Sequence, residues 1–172
     1  MKRFICLLII AATLFLFCSC NTSENSQFSK SVNFYYCNES ISFNSANGVI
    51  SSETREAEGY TDSLEQLLSL YIQGPVTPSF VSPFPHNLQV ESISEDSNQL
   101  NIVLNSTFSE LTGIEMTIAY ACLVKTIQEL TETDSVCISY TNTDIGKRQT
   151  ITLDSKKFLF FDNTVNADNT EE

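Results

Sequence analysis

The chain is poor in several residue types on which common protein activities depend. Among its 172 residues it has no tryptophan, one histidine, five glycines and four prolines. The lone histidine, His86, has no second histidine to share a zinc ion and no GxSxG or HExxH motif beside it, so neither a serine-hydrolase triad nor a zinc centre is expected. No glycine-rich loop is present to hold a phosphate, and no tryptophan is present to stack on a sugar. His86 is therefore predicted to be a solvated loop residue, and no cofactor is expected.

Basic residues are scarce as well. The chain has nine Lys and Arg residues against 21 Asp and Glu residues, which gives a formal net charge of −12. Such a chain is repelled by nucleic acid and by anionic lipid head groups, because both are negatively charged. Nucleic acid is therefore excluded as a partner, and charge is not what would hold the protein to a membrane.

The sequence also lacks a hydrophobic run long enough to span a bilayer. Its apolar stretch at residues 4–17 follows the cations Lys2 and Arg3 and is interrupted only by Cys6 and Thr13. A helix of that length rises about 21 Å, whereas the hydrocarbon core of a bilayer is about 30 Å thick. The stretch predicts a signal peptide, with an uncleaved N-terminal anchor as the alternative.

The apolar run ends in FLFCSC before the chain becomes polar. These residues resemble the lipobox of bacterial lipoproteins, in which apolar residues and a small residue precede an acylated cysteine. Ser19 is the small residue and Cys20 the cysteine, while Phe17 and Cys18 stand where the pattern prefers leucine and a small residue. The resemblance implies that Cys20 receives diacylglycerol and becomes the new N-terminus. Two or three acyl chains on one residue suffice for stable membrane attachment, whereas a single chain does not.

Four segments are expected along the chain. Residues 1–19 form the signal peptide, residues 20–31 a flexible polar tether, and residues 32–161 the folded domain. Residues 162–172 are acidic and rich in asparagine, which predicts a disordered tail. Without the signal peptide 153 residues remain, with seven basic and 21 acidic residues and a net charge of −14. That length suffices for one ordinary domain.

Two helices are predicted from apolar residues spaced at helical intervals. The first is capped by Asp62 and Glu65 as a capping box and is stopped by Gly74-Pro75. Its apolar stripe comprises Leu64, Leu67, Leu68, Tyr71 and Ile72. The second opens with a similar pair, Thr112 and Glu115. Its apolar stripe comprises Met116, Tyr120, Leu123, Ile127 and Leu130.

Strands are predicted where apolar and polar residues alternate. The first covers residues 32–37, and a second extended segment follows the turn signal Asn47-Gly48. A hairpin turns at residues 95–98, and another strand covers residues 136–140. A last hairpin is predicted to pair residues 151–153 with residues 158–161 around a turn at residues 154–157. The inward side chains of the first strand are Val32, Phe34 and Tyr36.

The order of these elements predicts an α+β protein. Each helix has one apolar stripe, and most strands have one apolar side. The simplest burial is a two-layer sandwich in which both helices pack on one face of a small, mostly antiparallel sheet.

Several segments resemble the GerMN domain, named for the spore-germination and sporulation protein GerM. The resemblance covers roughly residues 32–142. It rests on LEQLLSLYIQGP at residues 64–75, on Pro85 before the second strand, and on LNSTFSEL at residues 104–111 before a long helix.

The resemblance implies an extracytoplasmic lipoprotein of a Gram-positive, often spore-forming bacterium. It also implies a compact α/β domain that is related to the ring-building modules of sporulation machinery. Such domains are regarded as scaffolds or interaction modules, and the family offers no catalytic residues to transfer. Two positions depart from its pattern, since Gln73 and Asn105 stand where acidic residues are common.

Three cysteines remain once the signal peptide is removed and Cys20 is acylated, too few for a disulfide framework. Cys37 and Cys137 are each out of phase with the core residues of their strands and are predicted to point to the helix-free face. If the two strands are neighbours, a disulfide between them is sterically feasible; otherwise they are two separate small hydrophobes. Cys122, on the second helix, is expected in the core.

Five acidic residues near the first helix could be read as a cation site. They are Glu53, Glu56, Glu58, Asp62 and Glu65. Calcium requires oxygens at a fixed spacing, and the D-x-D-x-D-G pattern is missing, so no metal site is predicted. A solvated acidic segment is expected, to which amine-bearing wall polymers would be drawn weakly and in a salt-dependent way.

Aromatic residues give two open interpretations. Tyr35 is predicted to point to the helix-free face, and FLFF at residues 158–161 is apolar on both sides. Either the last hairpin covers the sheet edge or the open face, or the aromatic residues form an exposed patch for a partner.

The sequence predicts a lipid-anchored envelope module that acts by binding through sheet edges or the open face, and not an enzyme. The expected partners are the membrane, through the lipid, and envelope or sporulation proteins or peptidoglycan, with a homo-oligomer as a further expectation. One alternative is a solute-binding lipoprotein, although 153 residues are few for two lobes around a cleft. The second alternative is a cell-wall hydrolase whose paired carboxylates meet only in the fold.

Overall fold

A computed structural model describes residues 28–39, 48–96 and 98–154. The described strands are β1 (Ser31–Asn38), β2 (Ile50–Glu56), β3 (Phe80–Val81), β4 (Val90–Asp96), β5 (Gln99–Leu104), β6 (Ser135–Asn142) and β7 (Lys147–Asp154). The described helices are α1 (Leu64–Ile72), α2 (Gly113–Thr131) and a short 3-10 helix (Ser106–Glu110). The predicted signal peptide, the lipidated Cys20, the FLFF segment and the acidic tail lie outside the described residues.

The strands form two sheets where one was expected. A three-stranded antiparallel sheet has the order β2-β1-β3, and a four-stranded sheet has the order β4-β5-β6-β7. In the second sheet β5 and β6 are parallel and the outer pairs are antiparallel. A parallel pair needs a crossover connection, which the segment containing α2 supplies. The predicted α+β class is confirmed.

The first strand and the first helix form where they were predicted. The three inward side chains of β1 are buried, and Gly74 ends the helix with a φ of +97°, a conformation that glycine adopts without strain. The N-cap differs, because Ser63 takes the extended conformation and its Oγ accepts from the Gln66 amide at 3.2 Å. Asp62 was predicted as the cap and is instead exposed.

The fold begins earlier than residue 32. Phe28, which was expected in the tether, packs against the core, and its amide donates to the Thr61 carbonyl at 3.0 Å.

The second helix begins at the predicted position, after Thr112, but that side chain makes no capping hydrogen bond. α2 buries more than the predicted stripe because it contacts both sheets. Tyr140 of β6 donates its hydroxyl to the Met116 sulfur at 3.8 Å, whereas the Tyr35 amide of β1 donates to the Thr126 hydroxyl at 3.0 Å. The extra burial therefore results from a second packing partner.

The two hairpins of the four-stranded sheet were predicted with different success. The β4–β5 hairpin is confirmed. β7 pairs with β6, and the chain reverses between them at residues 143–146, a turn that was not predicted. In that turn the Asn142 side-chain oxygen accepts from the amides of Asp144 and Ile145 at 3.0 and 3.2 Å. The predicted pairing with residues 158–161 lies outside the described residues.

Three buried tyrosines should make the fold sensitive to alkali. Burial raises the pKa of Tyr36, Tyr71 and Tyr120 above the ordinary value of 10.0. Above pH 10 the unfolded chain releases these protons while the folded chain retains them, so stability is complete below pH 10 and falls as the pH rises. For Tyr71, which is fully buried, the slope reaches about 1.4 kcal/mol per pH unit.

Urea unfolding at pH 8, 10 and 11, followed together with tyrosinate absorbance at 295 nm, measures this dependence. We expect the absorbance of these three tyrosines to rise only as the protein unfolds. Nearly complete ionisation of all tyrosines at pH 11 while the protein is still folded would contradict the prediction.

Candidate functional site

Two grooves of the described surface bear on function, and the larger of these two lies between α1 and the segment that leads into β4. Its volume is about 610 Å³, and Glu65, Gln73 and His86 are among its lining residues. His86 is exposed, as predicted for a solvated loop residue. Glu65 is the only carboxylate among the residues that line this groove, so the groove lacks the pair of carboxylates that a glycosidase uses.

A second groove, of about 490 Å³, lies near the C-terminal end of α2. Glu95 and Glu132 line it together with apolar residues that include Phe28 and Leu130. Both carboxylates are exposed, whereas the acid of a glycosidase pair is shielded by apolar surroundings. The groove therefore resembles a surface depression more than a catalytic cleft.

The predicted acidic segment is solvated except at one residue. Four of its five members are exposed: Glu56, Glu58, Asp62 and Glu65. Glu53 was expected among them and is 5% exposed. It lies opposite Phe34 in the β1–β2 register and so shares the core face of the three-stranded sheet. Within the described parts of the chain, no group of three or more His, Cys, Asp or Glu residues could hold a metal ion.

The Glu53 carboxylate holds the segment after α1 against β2. Its oxygens accept from the Val76 amide at 3.1 and 3.2 Å and from the Thr77 amide at 3.4 Å. Arg55, two residues along the same strand, places Nε 3.9 Å from Glu53 and donates to the Gly74 carbonyl at 2.8 Å. The pair is therefore structural, and sequence periodicity gave no signal for it because neither residue is apolar.

Asn105 has a structural role at a position that departs from the GerMN pattern. Its side chain accepts from the Gln89 amide at 3.3 Å and donates to the Asn87 carbonyl at 2.9 Å. These bonds join the end of β5 to the segment before β4. Gln73, the other departure, is exposed at the larger groove.

The cysteines do not lie as the sequence suggested. β1 is paired with β2 and β3, and β6 is paired with β5 and β7, so Cys37 and Cys137 are not on neighbouring strands. The condition set for a bridge between them is therefore not met. Cys37 was expected on a helix-free face and is instead buried beside Cys122 of α2, and all three thiols are free. Cys122 is in the core, as expected.

Tyr35 is partly covered by α2. Lys125 of α2 places its ammonium nitrogen 5.0 Å from the centre of the Tyr35 ring, which is a cation–π contact. The Tyr35 side chain is half-buried, so this side of β1 is not a fully open face.

A partly exposed surface lies on the four-stranded sheet. Opposite its core residues this sheet carries a mostly polar face, on which Thr150 and Thr152 are exposed and Ser139 is buried. The other residues of this face are half-buried: Gln99, Asn101, Val103, Ser135 and Cys137. Side chains bond along it, with Gln99 donating to Asn101 at 3.0 Å and Arg148 donating to Ser139 at 2.7 Å. Such a face can bind by hydrogen bonding.

Among the strands that the structure describes, β4 and β7 are the two edges of this sheet, and they differ in charge and regularity. β7 is regularly paired with β6 over eight residues and begins with the exposed Lys147 and Arg148. β4 has a register shift between Val90 and Ser92, and it carries exposed acidic residues. These are Glu91, Glu95 and Asp96. A bulge interrupts the regular pairing of an edge strand, so β7 is the better docking edge of the two.

This architecture defines a class of small α+β domains whose accessible features are sheet edges, a polar face and shallow grooves. None of the helices in the described ranges combines the length and the apolarity needed to cross a membrane. The family model named Germane, described as sporulation and spore germination, matches residues 33–145. The chain belongs to this family, which is not a known enzyme family and which implies a role related to sporulation or germination. No curated protein and no solved structure gave a match.

The match agrees with the expected resemblance to a sporulation and germination domain. It begins within β1 and ends in the turn before β7. The family segment therefore includes both helices and the β5–β6 crossover, while the β7 edge lies beyond it.

Proposed function

We propose that the protein is a non-catalytic, GerMN-like binding module that a lipid on Cys20 holds on the outer surface of the cell membrane. Membership of a sporulation and germination family supports the process, and the FLFCSC sequence supports the anchor. The observation that carries the binding role is the regular β7 edge beside the polar face of the four-stranded sheet.

The partner is an extended segment of an envelope or sporulation protein that adds a strand to β7. Backbone hydrogen bonds along the strand supply affinity, and side chains at alternate positions supply specificity. Lys147 and Arg148 at the start of β7 favour a segment with acidic residues at the facing end. The acidic β4 edge of a second copy of this chain has the required charge. Pairing of that edge with β7 would give a homo-oligomer.

The test places lysines on β7, where they oppose strand addition. We expect Thr150→Lys with Thr152→Lys to reduce recovery of crosslinked partners from membranes by at least about tenfold, equivalent to 1.4 kcal/mol. Ser52→Lys, on an exposed position of the other sheet, is the matched control and should leave recovery unchanged. Ser94→Lys on β4 should reduce recovery only of the chain's own copies.

Circular dichroism and thermal unfolding serve to check that each of these variants folds. Equal recovery by the β7 variant and the Ser52→Lys control would contradict the proposal.

A second candidate function is solute binding in the larger groove. Its volume of about 610 Å³ lies within the usual range for small-molecule sites, roughly 300–1,000 Å³. A thermal-shift screen with wall fragments and small solutes tests it. A Tm rise that Gln73→Ala and His86→Ala abolish would support solute binding, and no rise with any compound would count against it.

A further inference from the structure

The strand β1 and the helix α2 meet in a row of regularly spaced contacts, one made by a side chain of β1 and the next by its backbone. Asn33 donates to the Glu129 carboxylate at 3.0 Å, and one step further the Tyr35 amide donates to the Thr126 hydroxyl at 3.0 Å. Two residues along a strand advance about 6.6 Å, and three or four residues along a helix advance about 4.5–6 Å. The strand and the helix therefore advance by similar distances between contacts. Two residues beyond Tyr35 and four residues before Thr126, the next pair in the row is Cys37 with Cys122.

The two thiols meet in a closed part of the structure. Cys37 is 9% exposed and Cys122 is 0% exposed, and the two side chains are neighbours in the core. The neighbouring Cys122 lowers the pKa of Cys37, while Cys37 and burial raise the pKa of Cys122. A thiolate on Cys37 is thus favoured, and the thiolate is the form that attacks a disulfide.

We propose that Cys37 and Cys122 form a disulfide that links β1 covalently to α2. Disulfides persist in oxidising compartments such as the space outside the cytoplasm. The persistence of this bridge in the cell therefore rests on the proposed function, which places the protein there. The bridge would join parts of the chain that are far apart in sequence and would leave Cys137 as the free thiol on the polar face.

The oxidant is a second disulfide, such as that of an exported thiol oxidoreductase or oxidised glutathione. The Cys37 thiolate attacks one sulfur of that disulfide and releases the first donor thiol. The Cys122 thiolate then attacks the Cys37 sulfur of the mixed disulfide and releases the second. Cys37 and Cys122 together lose two protons and two electrons, and the donor disulfide gains both as it becomes two thiols.

Differential alkylation of the full chain tests the bridge directly. The protein is incubated in a glutathione redox buffer, denatured and alkylated, then reduced and alkylated with a heavier reagent, and its peptides are weighed. We expect Cys137 to carry the first reagent and both Cys37 and Cys122 to carry the second. The first reagent on Cys37 and Cys122, or a link from either to Cys137, would overturn the proposal. Because the buffer sets the redox state, this result is independent of where the protein resides in the cell.

Thermal unfolding gives a second readout that does not depend on variants that fold poorly. Reduction of the oxidised wild type should lower Tm by about 5–15 °C, because the bridge constrains a long loop of the unfolded chain. Cys37→Ala and Cys122→Ala should each cause a similar drop, and the double variant should fall little further. Cys137→Ala is the control and should leave the effect of reduction unchanged. If reduction left the Tm unchanged and the effects of the two alanine substitutions were additive, Cys37 and Cys122 would be two separate hydrophobic side chains and the proposal would be wrong.

Discussion

Glu53→Ala is expected to lower the free energy of unfolding by about 3 kcal/mol. The carboxylate is buried on the core face of β2, and it is the acceptor for two backbone amides of the segment that follows α1. Its removal leaves the Val76 and Thr77 amides without this acceptor and leaves the guanidinium of Arg55 without its carboxylate. The lost amide acceptor and the lost ion pair together account for the expected cost.

The strand supplies its own matched control. Glu56 lies on β2 as well but is exposed, so Glu56→Ala should change stability by about 0.5 kcal/mol or less. Glu53→Gln keeps a hydrogen-bond acceptor but loses the charge, and it should fall between the two. Urea unfolding at neutral pH measures all three variants.

A double-mutant cycle separates the ion pair from the amide contacts. Glu53→Ala combined with Arg55→Met should be less damaging than the sum of the single changes, with a coupling of about 1–3 kcal/mol. Should Glu53→Ala cost no more than Glu56→Ala, the carboxylate would not be holding the segment after α1, and this account of the three-stranded sheet would fail.

The second large effect is expected at the membrane. Cys20→Ala should abolish incorporation of labelled palmitate and remove the mature form whose mass equals residues 20–172 plus acyl chains. The reason is chemical, because diacylglycerol is attached through the cysteine sulfur and alanine offers no nucleophile. Each buried CH₂ contributes about 0.8 kcal/mol to membrane binding, so the loss of two chains removes the proposed anchor entirely.

Cys18→Ala is the control for this experiment. It removes the neighbouring thiol and should leave palmitate incorporation and the processed mass unchanged. A native protein with residue 20 unmodified and residues 1–19 still attached would favour the alternative, an uncleaved N-terminal anchor, and would contradict the lipid on Cys20.

The local elements of the fold followed from the sequence because their causes are local. Alternation placed Val32, Phe34 and Tyr36 on one side of β1, and helical spacing followed by Gly74-Pro75 marked α1 and its end. The helical spacing of apolar residues likewise predicts α2. Each of these signals lies within a few residues and depends on backbone geometry alone.

Local signals were insufficient at two places in the described chain. Asp62 and Ser63 are both good N-cap residues, and the backbone conformation selected Ser63. The turn at residues 143–146, which the Asn142 side chain holds, is not predicted by the alternation of apolar and polar residues. The turn predicted at residues 154–157 stays a prediction, because it reaches beyond the described residues.

Within the described residues, the sequence by itself determined the α+β class, the chain segments that become β1, α1 and α2, and the family to which the chain belongs. Only the tertiary structure decided that the strands form two sheets, that Glu53 is buried, and that Cys37 lies against Cys122 rather than near Cys137. The physical reason is that periodicity shows which side of a strand is apolar but not which distant segment will cover it. That choice depends on how the whole core closes, with α2 contacting both sheets.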